Sequence, residues 1–243
     1  MDIAYTVYKN ARICASKYRH SAVAEAELTL SDFTAQMRTK GYVVFQSART
    51  DHAHLPDLST TWVVIGPGSA AAAEVKHFRT MWNAVVAPAT GPGKLTTPSK
   101  PASSSRASLS ASSSSTDLSA AAAGALPARS VMLVSENKFK HFLVGEISSY
   151  RQSMPHMYIE EARWDAFLFE IPRHNANCPH EIIEPAELEE YLTRTHTDPV
   201  FKKIRVTDPQ AIWIGARVGD VIKIDMPSFS AGVAIDYRVV VAG

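Results

Sequence analysis

Apolar residues recur at helical spacing near the start of the chain, and polar residues fill most positions between them. Over residues 3–20 the apolar positions form one face, which predicts an amphipathic helix. A second helix is predicted to begin with Ser31 as its N-cap, to bury Phe33 and Met37, and to end at Gly41.

Short apolar runs later in the first half predict strands packed with further helices. Residues 70–82 have helical spacing, and residues 142–147 form a further element. Runs rich in β-branched and aromatic residues, which are typical of strands, occur at 42–45, 61–65, 131–134 and 166–171. Helices packed on a mixed sheet predict an α/β architecture for this half.

The last forty residues predict a short helix followed by a turn. Asp208 is suited to cap the helix, and Pro209 suits its first position, where the missing N–H has no partner in any helix. Gly215 suits the left-handed conformation that ends it. Gly219 and Asp220 then form a turn signal.

Two strands are predicted after that turn. Residues 221–224 form the first strand, which is expected to stop at Pro227, and residues 233–241 follow a turn at Gly232. A helix is also predicted from Pro185 to about residue 193. The C-terminal part is therefore expected to be a small β-rich α+β unit with short helices.

Residues 88–129 consist of Ser, Ala, Pro, Thr and Gly almost throughout. Such a composition cannot bury enough apolar surface to offset a backbone ordering cost of roughly 1–2 kcal/mol per residue. The sequence therefore predicts a disordered insertion in the N-terminal half.

Charge and cysteine content narrow the function classes. The formal net charge is +1, so composition alone gives no nucleic-acid signal. From His174 onward the chain has seven Lys and Arg and ten Asp and Glu. The net charge of this part is −3, which suits a protein partner. Cys14 and Cys178 imply neither a disulfide framework nor a zinc pair. No apolar run approaches the roughly 18 residues that a membrane span needs, so no membrane is predicted.

The stretch from residue 204 to 241 resembles the C-terminal assembly domain of the shared fifth subunit of eukaryotic nuclear RNA polymerases. It is also similar to the small archaeal polymerase protein that consists of this domain alone. The matching elements are, in order, Thr207-Asp208-Pro209, Trp213, Gly215, Gly219-Asp220-Val221-Ile222-Lys223-Ile224, Ser228-Phe229-Ser230-Ala231-Gly232 and Tyr237-Arg238. The sequence before residue 172 resembles the jaw domain of the same family more loosely.

The resemblance implies two domains. Residues 1–172 would form a jaw domain with a restriction-endonuclease-like fold, interrupted by the insertion, and residues 173–243 would form the assembly domain. The chain would then be a non-catalytic subunit of a DNA-dependent RNA polymerase. Its expected partners are the largest subunit, other polymerase subunits and downstream DNA. The expected location is the nucleus, or a virion or viral replication site if the source is a large DNA virus.

The same resemblance identifies candidate site residues. The expected partner interface comprises Asp208, Pro209, Trp213, Gly215, Gly219, Asp220, Ser228 and Phe229. Phe229 stands where the family usually carries Glu. Trp213 is interpreted either as an interface anchor or as a core residue. The family contacts DNA through a Thr-Pro-Ser-Ala loop, and at that place this chain carries Lys138 and Lys140, the candidate DNA-proximal residues.

Two other functions are compatible with parts of the sequence. Pro56-Asp57 and Glu136-Asn137-Lys138 are residue types that nucleases use to hold Mg²⁺, although they are about eighty residues apart. An adaptor that uses the assembly fold outside a polymerase is the second alternative. His174, Cys178 and His180 supply three of the four ligands that structural zinc takes, so the sequence predicts no metal and no cofactor.

The composition of the insertion yields a prediction. Limited proteolysis of the folded chain should cut within residues 88–129 before it cuts elsewhere, because proteases need an extended, unprotected backbone. Mass spectrometry of the first products identifies the site. A first cut outside this segment, with residues 103–115 protected from amide exchange, would contradict the prediction.

Overall fold

Two mixed sheets with surrounding helices make up the described part of the chain. The computed structural model of the chain describes residues 2–49, 59–86, 129–195 and 201–242. The α-helices of these residues are α1 (Ile3–Ile13), α2 (Leu30–Lys40), α3 (Ala70–Ala73), α4 (Val75–Val86), α5 (His141–Ser153), α6 (Pro185–Thr195) and α7 (Pro209–Ile214). The strands are β1 (Ser21–Val23), β2 (Tyr42–Arg49), β3 (Ser59–Ile65), β4 (Arg129–Ser135), β5 (Met157–Arg163), β6 (His180–Ile182), β7 (Lys202–Arg205), β8 (Val221–Ser228) and β9 (Gly232–Val241).

The first sheet has the strand order β1-β2-β3-β4-β5. Strands β1, β2 and β3 run antiparallel, whereas β3, β4 and β5 run parallel. Apolar cores lie on both of its faces, one with α1 and α2 and the other with α4 and α5. Because the central strands are covered on both sides, β3 and β4 read as continuous apolar runs rather than as alternating ones. We call this sheet with α1 to α5 the N-terminal unit.

The second sheet has the strand order β6-β8-β9-β7. Strand β8 pairs antiparallel with β6 and β9, and β7 pairs parallel with the end of β9. Its core contains Ala211 of α7 with Ile204, Ile222, Ile224 and Val240 from the strands. We call this sheet with α6 and α7 the C-terminal unit. The mixed α/β class predicted from the sequence is therefore confirmed for the described residues.

The residues predicted to begin and end α7 are confirmed. The Asp208 side chain accepts a hydrogen bond from the backbone N–H of Gln210 at 2.9 Å, and Pro209 is the first helical residue. Gly215 ends the helix with a φ of 73°, the left-handed conformation that glycine adopts without steric cost.

Two helix predictions need correction. Helix α2 begins two residues earlier than predicted, because Thr29 rather than Ser31 caps it and accepts from the backbone N–H of Asp32 at 3.2 Å. The helix predicted over residues 70–82 is two helices, since Glu74 is extended with a φ of −133° and ψ of 132°. The predicted end of α2 at Gly41 is confirmed.

The strand predicted over residues 166–171 is wrong. These residues form parts of two 3₁₀ turns, Trp164–Phe167 and Ile171–Arg173, and the strand is β5 instead. The apolar character of the stretch has a tertiary cause, because Phe167 is buried against Trp62 and Trp213.

Pro227 does not end its strand. It lies inside β8 and pairs with Val233. On its other edge β8 pairs with β6, but only at residues 222–224. Pro227 therefore lies beyond the end of the pairing between β8 and β6. A missing backbone N–H is tolerated at such an edge position.

Several sequence predictions fall outside the described residues. These are the Pro56-Asp57 pair and, apart from Arg129, the insertion at 88–129. In the described part of the chain, every helix is too short or too polar to cross a lipid bilayer.

Candidate functional site

The hairpin of β8 and β9 carries the largest exposed apolar surface of the C-terminal unit among its described residues. Directly paired residues share one face of a sheet, so Pro227, Val233 and their neighbours Asp225 and Ile235 all lie on the same side. Helix α7 packs on the opposite side, with Ile222, Ile224 and Val240. The side that carries Pro227 and Val233, which we call the outer side, is therefore not covered by α7.

Four apolar side chains at the end of the hairpin are exposed, and we call them the hairpin patch: Pro227, Phe229, Val233 and Ile235. Phe229 in the turn is fully exposed, and Val233 and Ile235 expose 56% and 52% of their surface. Isolated exposed apolar residues are common, but a contiguous group of them marks an interaction surface more often than chance.

Charged side chains of β7 and β9 pair with one another near the hairpin. Asp236 accepts hydrogen bonds from Lys202 and Arg238, each at 3.0 Å. The hydrogen bond from Lys202 is the main reason that the pKa of Asp236 is lowered, and the bond from Arg238 adds to it. Asp236 and Arg238 are paired with Ile224 and Ile222, so they lie on the α7 side of the sheet, and this ion-paired cluster does not border the hairpin patch.

Helix α6 contacts the outer side at Tyr237 and Lys223. Its Tyr191 packs on Tyr237 of β9 with ring centroids 4.5 Å apart, and both rings contact Phe201. Lys223 lies 3.8 Å from the carboxylate of Glu187. The aromatic cluster borders the hairpin patch along β9, so the apolar surface continues from the patch toward α6.

Trp213 does not reach the surface of the chain. Its side chain is fully buried, and its indole N–H donates to the backbone carbonyl of Ala166 at 2.6 Å. The ring contacts Tyr18 edge-on and Phe167, with centroids 5.2 and 5.8 Å away. Of the two interpretations of Trp213, its burial therefore supports the core residue.

Arg19 joins the same buried contact. Its guanidinium donates to both carboxylate oxygens of Glu160, at 3.2 and 2.8 Å, and to the carbonyl of Ile212 at 2.6 Å. Burial is the largest single influence and acts to lower the pKa of Arg19, but the charge and hydrogen bonds of Glu160 together with those of Cys14 outweigh it, and the net pKa is raised. Arg19 is therefore charged in the folded protein.

Cys14 is a buried hydrogen-bond donor. Its thiol lies 3.4 Å from the carbonyl of Trp213. Burial raises the pKa of the Cys14 thiol to about 12, although the nearby charge of Arg19 opposes the shift. The thiol therefore stays protonated at neutral pH and is not a nucleophile.

Lys138 and Lys140 flank a buried anchor in the loop between β4 and α5. Phe139 is buried and packs edge-on against Phe78 at 5.9 Å, while both lysines are exposed. The first turn of α5 carries no acidic residue and no side-chain cap. The loop therefore presents two positive charges beside a helix N-terminus, which is itself partly positive.

The candidate metal ligands do not come together. His180 contacts the carbonyl of Cys178 through Nδ1, and His174 accepts from the backbone N–H of Ala176 through Nδ1. Among the described residues, no group of three or more His, Cys, Asp or Glu side chains is arranged to hold a metal ion. Glu136 is exposed in the loop after β4.

The predicted interface residues occupy separate places. Ser228 and Phe229 lie at the tip of the hairpin, whereas Gly219 and Asp220 lie at its opposite end, roughly 25 Å away for a strand of this length. The prediction missed Val233 and Ile235, whose alternation reads like that of a half-buried strand. It also missed Arg19, whose partners are 141 and 193 residues away in sequence.

The chain is similar to known proteins in its C-terminal part. The family model described as "RNA polymerase Rpb5, C-terminal domain" matches residues 169–240. A relative named "DNA-directed RNA polymerase subunit Rpo5" from Methanococcoides burtonii is 38% identical over 74 residues, which are 30% of this chain and 95% of the relative. The protein of the same name from Methanosarcina mazei is 40% identical over the same length and with the same coverage.

A viral relative matches a longer stretch. The "DNA-directed RNA polymerase RPB5 homolog" of African swine fever virus (strain Badajoz 1971 Vero-adapted) is 31% identical over 93 residues. These residues are 38% of this chain, and the chain spans 45% of the length of that relative.

Burial of Trp213 yields a prediction for stability. Trp213→Ala in the full chain should lower the free energy of unfolding by about 3–5 kcal/mol, because a large cavity forms where the indole lay. Urea unfolding followed by circular dichroism measures the change. Phe229→Ala is the matched control and should change it by less than about 0.5 kcal/mol, because the ring is fully exposed. Equal losses for the two variants would contradict the assignment.

Proposed function

Because the chain belongs to the Rpb5 family of DNA-directed RNA polymerase subunits, we propose that it is a non-catalytic structural subunit of a DNA-dependent RNA polymerase. The observation that carries the proposal is the match to 95% of the archaeal relative's length. Its C-terminal unit docks on the largest subunit, and its N-terminal unit acts as a jaw beside downstream DNA. Its place of action is the nucleus, or a virion or viral replication site if the polymerase is viral.

The hairpin patch supports docking on a larger protein. Its exposed side chains offer a few hundred Å² of apolar surface, within the range of functional patches on monomers. A stable dimer buries about 800 Å² on each partner. The patch alone therefore falls short of what self-association needs and suits one part of a composite interface in a multi-subunit complex.

The remaining predicted interface residues have different parts in this proposal. Asp208, Pro209 and Gly215 shape α7, and Gly219 with Asp220 shapes the turn that leads into β8. Asp220 accepts from the backbone N–H of Arg217 at 2.7 Å, which fixes that turn. These residues hold the sheet in place, whereas Ser228 and Phe229 lie where a partner can touch them.

The loop that carries Lys138 and Lys140 supports a DNA contact for the N-terminal unit. Phe139 anchors the loop in the core, so the two ammonium groups project from a fixed backbone. Neither lysine has to leave a buried environment to reach a phosphate. Contacts of this kind bind the DNA backbone without reading its sequence.

Docking through the hairpin yields a prediction. Phe229→Ala should weaken capture of the largest polymerase subunit by about 2 kcal/mol or more, roughly 30-fold, because aromatic anchors dominate interface energies. Titration of the tagged chain against that subunit measures the change. Phe169→Ala is the matched control, since Phe169 is also an exposed phenylalanine but lies outside the C-terminal sheet. Capture that is unaffected by Phe229→Ala would exclude the hairpin, and failure of the unaltered chain to capture the subunit would refute the proposed function.

The DNA contact yields a separate prediction. Replacing Lys138 and Lys140 by Ala together should lower the log–log salt slope of polymerase–DNA binding by at most about two, because each lysine–phosphate pair adds just under one to that slope. The measurement is DNA affinity at several salt concentrations. Lys40→Ala with Lys203→Ala is the control pair, because it removes the same charge from exposed positions outside the loop. An unchanged slope for the loop variant would remove the proposed contact.

A further inference from the structure

The end of α1 departs from regular helix geometry at the place where the two units meet. Residues Cys14–Tyr18 form a π-helical turn, closed by a hydrogen bond from the backbone N–H of Arg19 to the carbonyl of Cys14 at 2.9 Å. His20 then has a φ of 48°, a left-handed conformation that is uncommon for a residue other than glycine. Wide turns and strained residues of this kind cluster at functional positions.

This turn directs the Arg19 side chain between the two units. On the N-terminal side, the guanidinium binds Glu160 of β5 in a bidentate manner and lies 5.0 Å from the ring of Trp62 in β3. On the C-terminal side, Nε and Nη2 both donate to the carbonyl of Ile212 in α7, at 3.1 and 2.6 Å. One side chain therefore links two strands of the first sheet to a helix of the second unit.

The end of α7 is shaped to accept this side chain. A Cβ atom at Gly215 would lie 3.3 Å from Arg19 Nε, which is a tight contact, and Gly215 already requires a positive φ. A second contact supports the same joint, because the Arg217 guanidinium lies 4.6 Å from the ring of Tyr158 in β5. Arg217, which follows α7, thus contacts β5 directly.

We propose that Arg19 is a positioning residue that sets the orientation of the N-terminal unit relative to the C-terminal unit. A planar guanidinium that donates to a carboxylate and to a carbonyl at once fixes both distance and direction. Apolar packing around Trp213 has no comparable directional preference. A partner that holds the C-terminal unit therefore also determines where the N-terminal unit stands.

This inference goes beyond the proposed function, because it concerns the chain alone and is testable without a polymerase. Spin labels on Ser149→Cys in α5 and Ser230→Cys in the hairpin turn report the distance between the units, since both positions are exposed. Cys178→Ser removes the partly exposed native thiol. Cys14 stays in place, because it is fully buried and does not react.

The test variant is Arg19→Met with Glu160→Met, which removes both charges and keeps apolar volume in their place. Pulsed electron paramagnetic resonance should show a narrow distance distribution for the parent and a distribution at least twice as broad for the variant. Amide exchange in α7 should become at least tenfold faster, with β3 and β4 unchanged. The matched control is Arg79→Met with Glu146→Met, an ion pair of similar bidentate geometry within the N-terminal unit, which should leave the distribution narrow.

Four outcomes would overturn the proposal. An unchanged distribution in the folded Arg19/Glu160 variant would show that packing around Trp213 orients the units alone. Equal broadening in the Arg79/Glu146 control would show a general loss of rigidity. If the double variant does not fold, Arg19→Lys replaces it, because it keeps the charge but loses the bidentate geometry. A narrow distribution for that folded variant, or loss of the fold in both, would also refute the positioning role.

Discussion

The indole of Trp213 belongs to the C-terminal unit by sequence but packs inside the apolar core of the N-terminal unit. A buried tryptophan removes about 150–250 Å² of mostly apolar surface from water, which stabilises the contact by about 4–6 kcal/mol at 25 cal/mol per Å². Its N–H reaches Ala166, in the segment that joins β5 to the second sheet. The core of the N-terminal unit, the connecting segment and the residues that follow α1 thus meet around one side chain of α7, and the arrangement of the two described units depends on it.

Local signals explain which parts of the fold were predictable. The caps of α7, the end of α2 at Gly41 and strands β3 and β4 follow from residues close together in sequence. Strand β5 was missed because Glu160 and Glu161 interrupt its apolar pattern. Glu160 is tolerated there because Arg19 pairs with it from another element. Conversely, the apolar segment around Phe167 resembles a strand but owes its character to contacts with Trp62 and Trp213.

The candidate site was predictable at the hairpin tip and not along its side. Phe229 was named because of the family resemblance, since it stands where the family usually carries Glu. Val233 and Ile235 alternate with polar or small residues as in any half-buried strand. Which face of such a strand is covered depends on where α7 packs. This packing is a tertiary contact that the local sequence pattern does not reveal. The same limit applies to Arg19, since no local pattern links it to Glu160 and Ile212.

The polar groups of the joint between the units contribute direction rather than net attraction. Among the described residues, the buried donors Trp164 Nε1 and Gln210 Nε2 have no hydrogen-bond partner. Each such group costs about 1–3 kcal/mol, which offsets much of the gain from burying Trp213. A buried ion pair such as Arg19 with Glu160 is seldom more stabilising than apolar residues of the same size. Aromatic packing therefore supplies the attraction at this joint, while the bidentate pair selects one orientation among those that packing alone would allow.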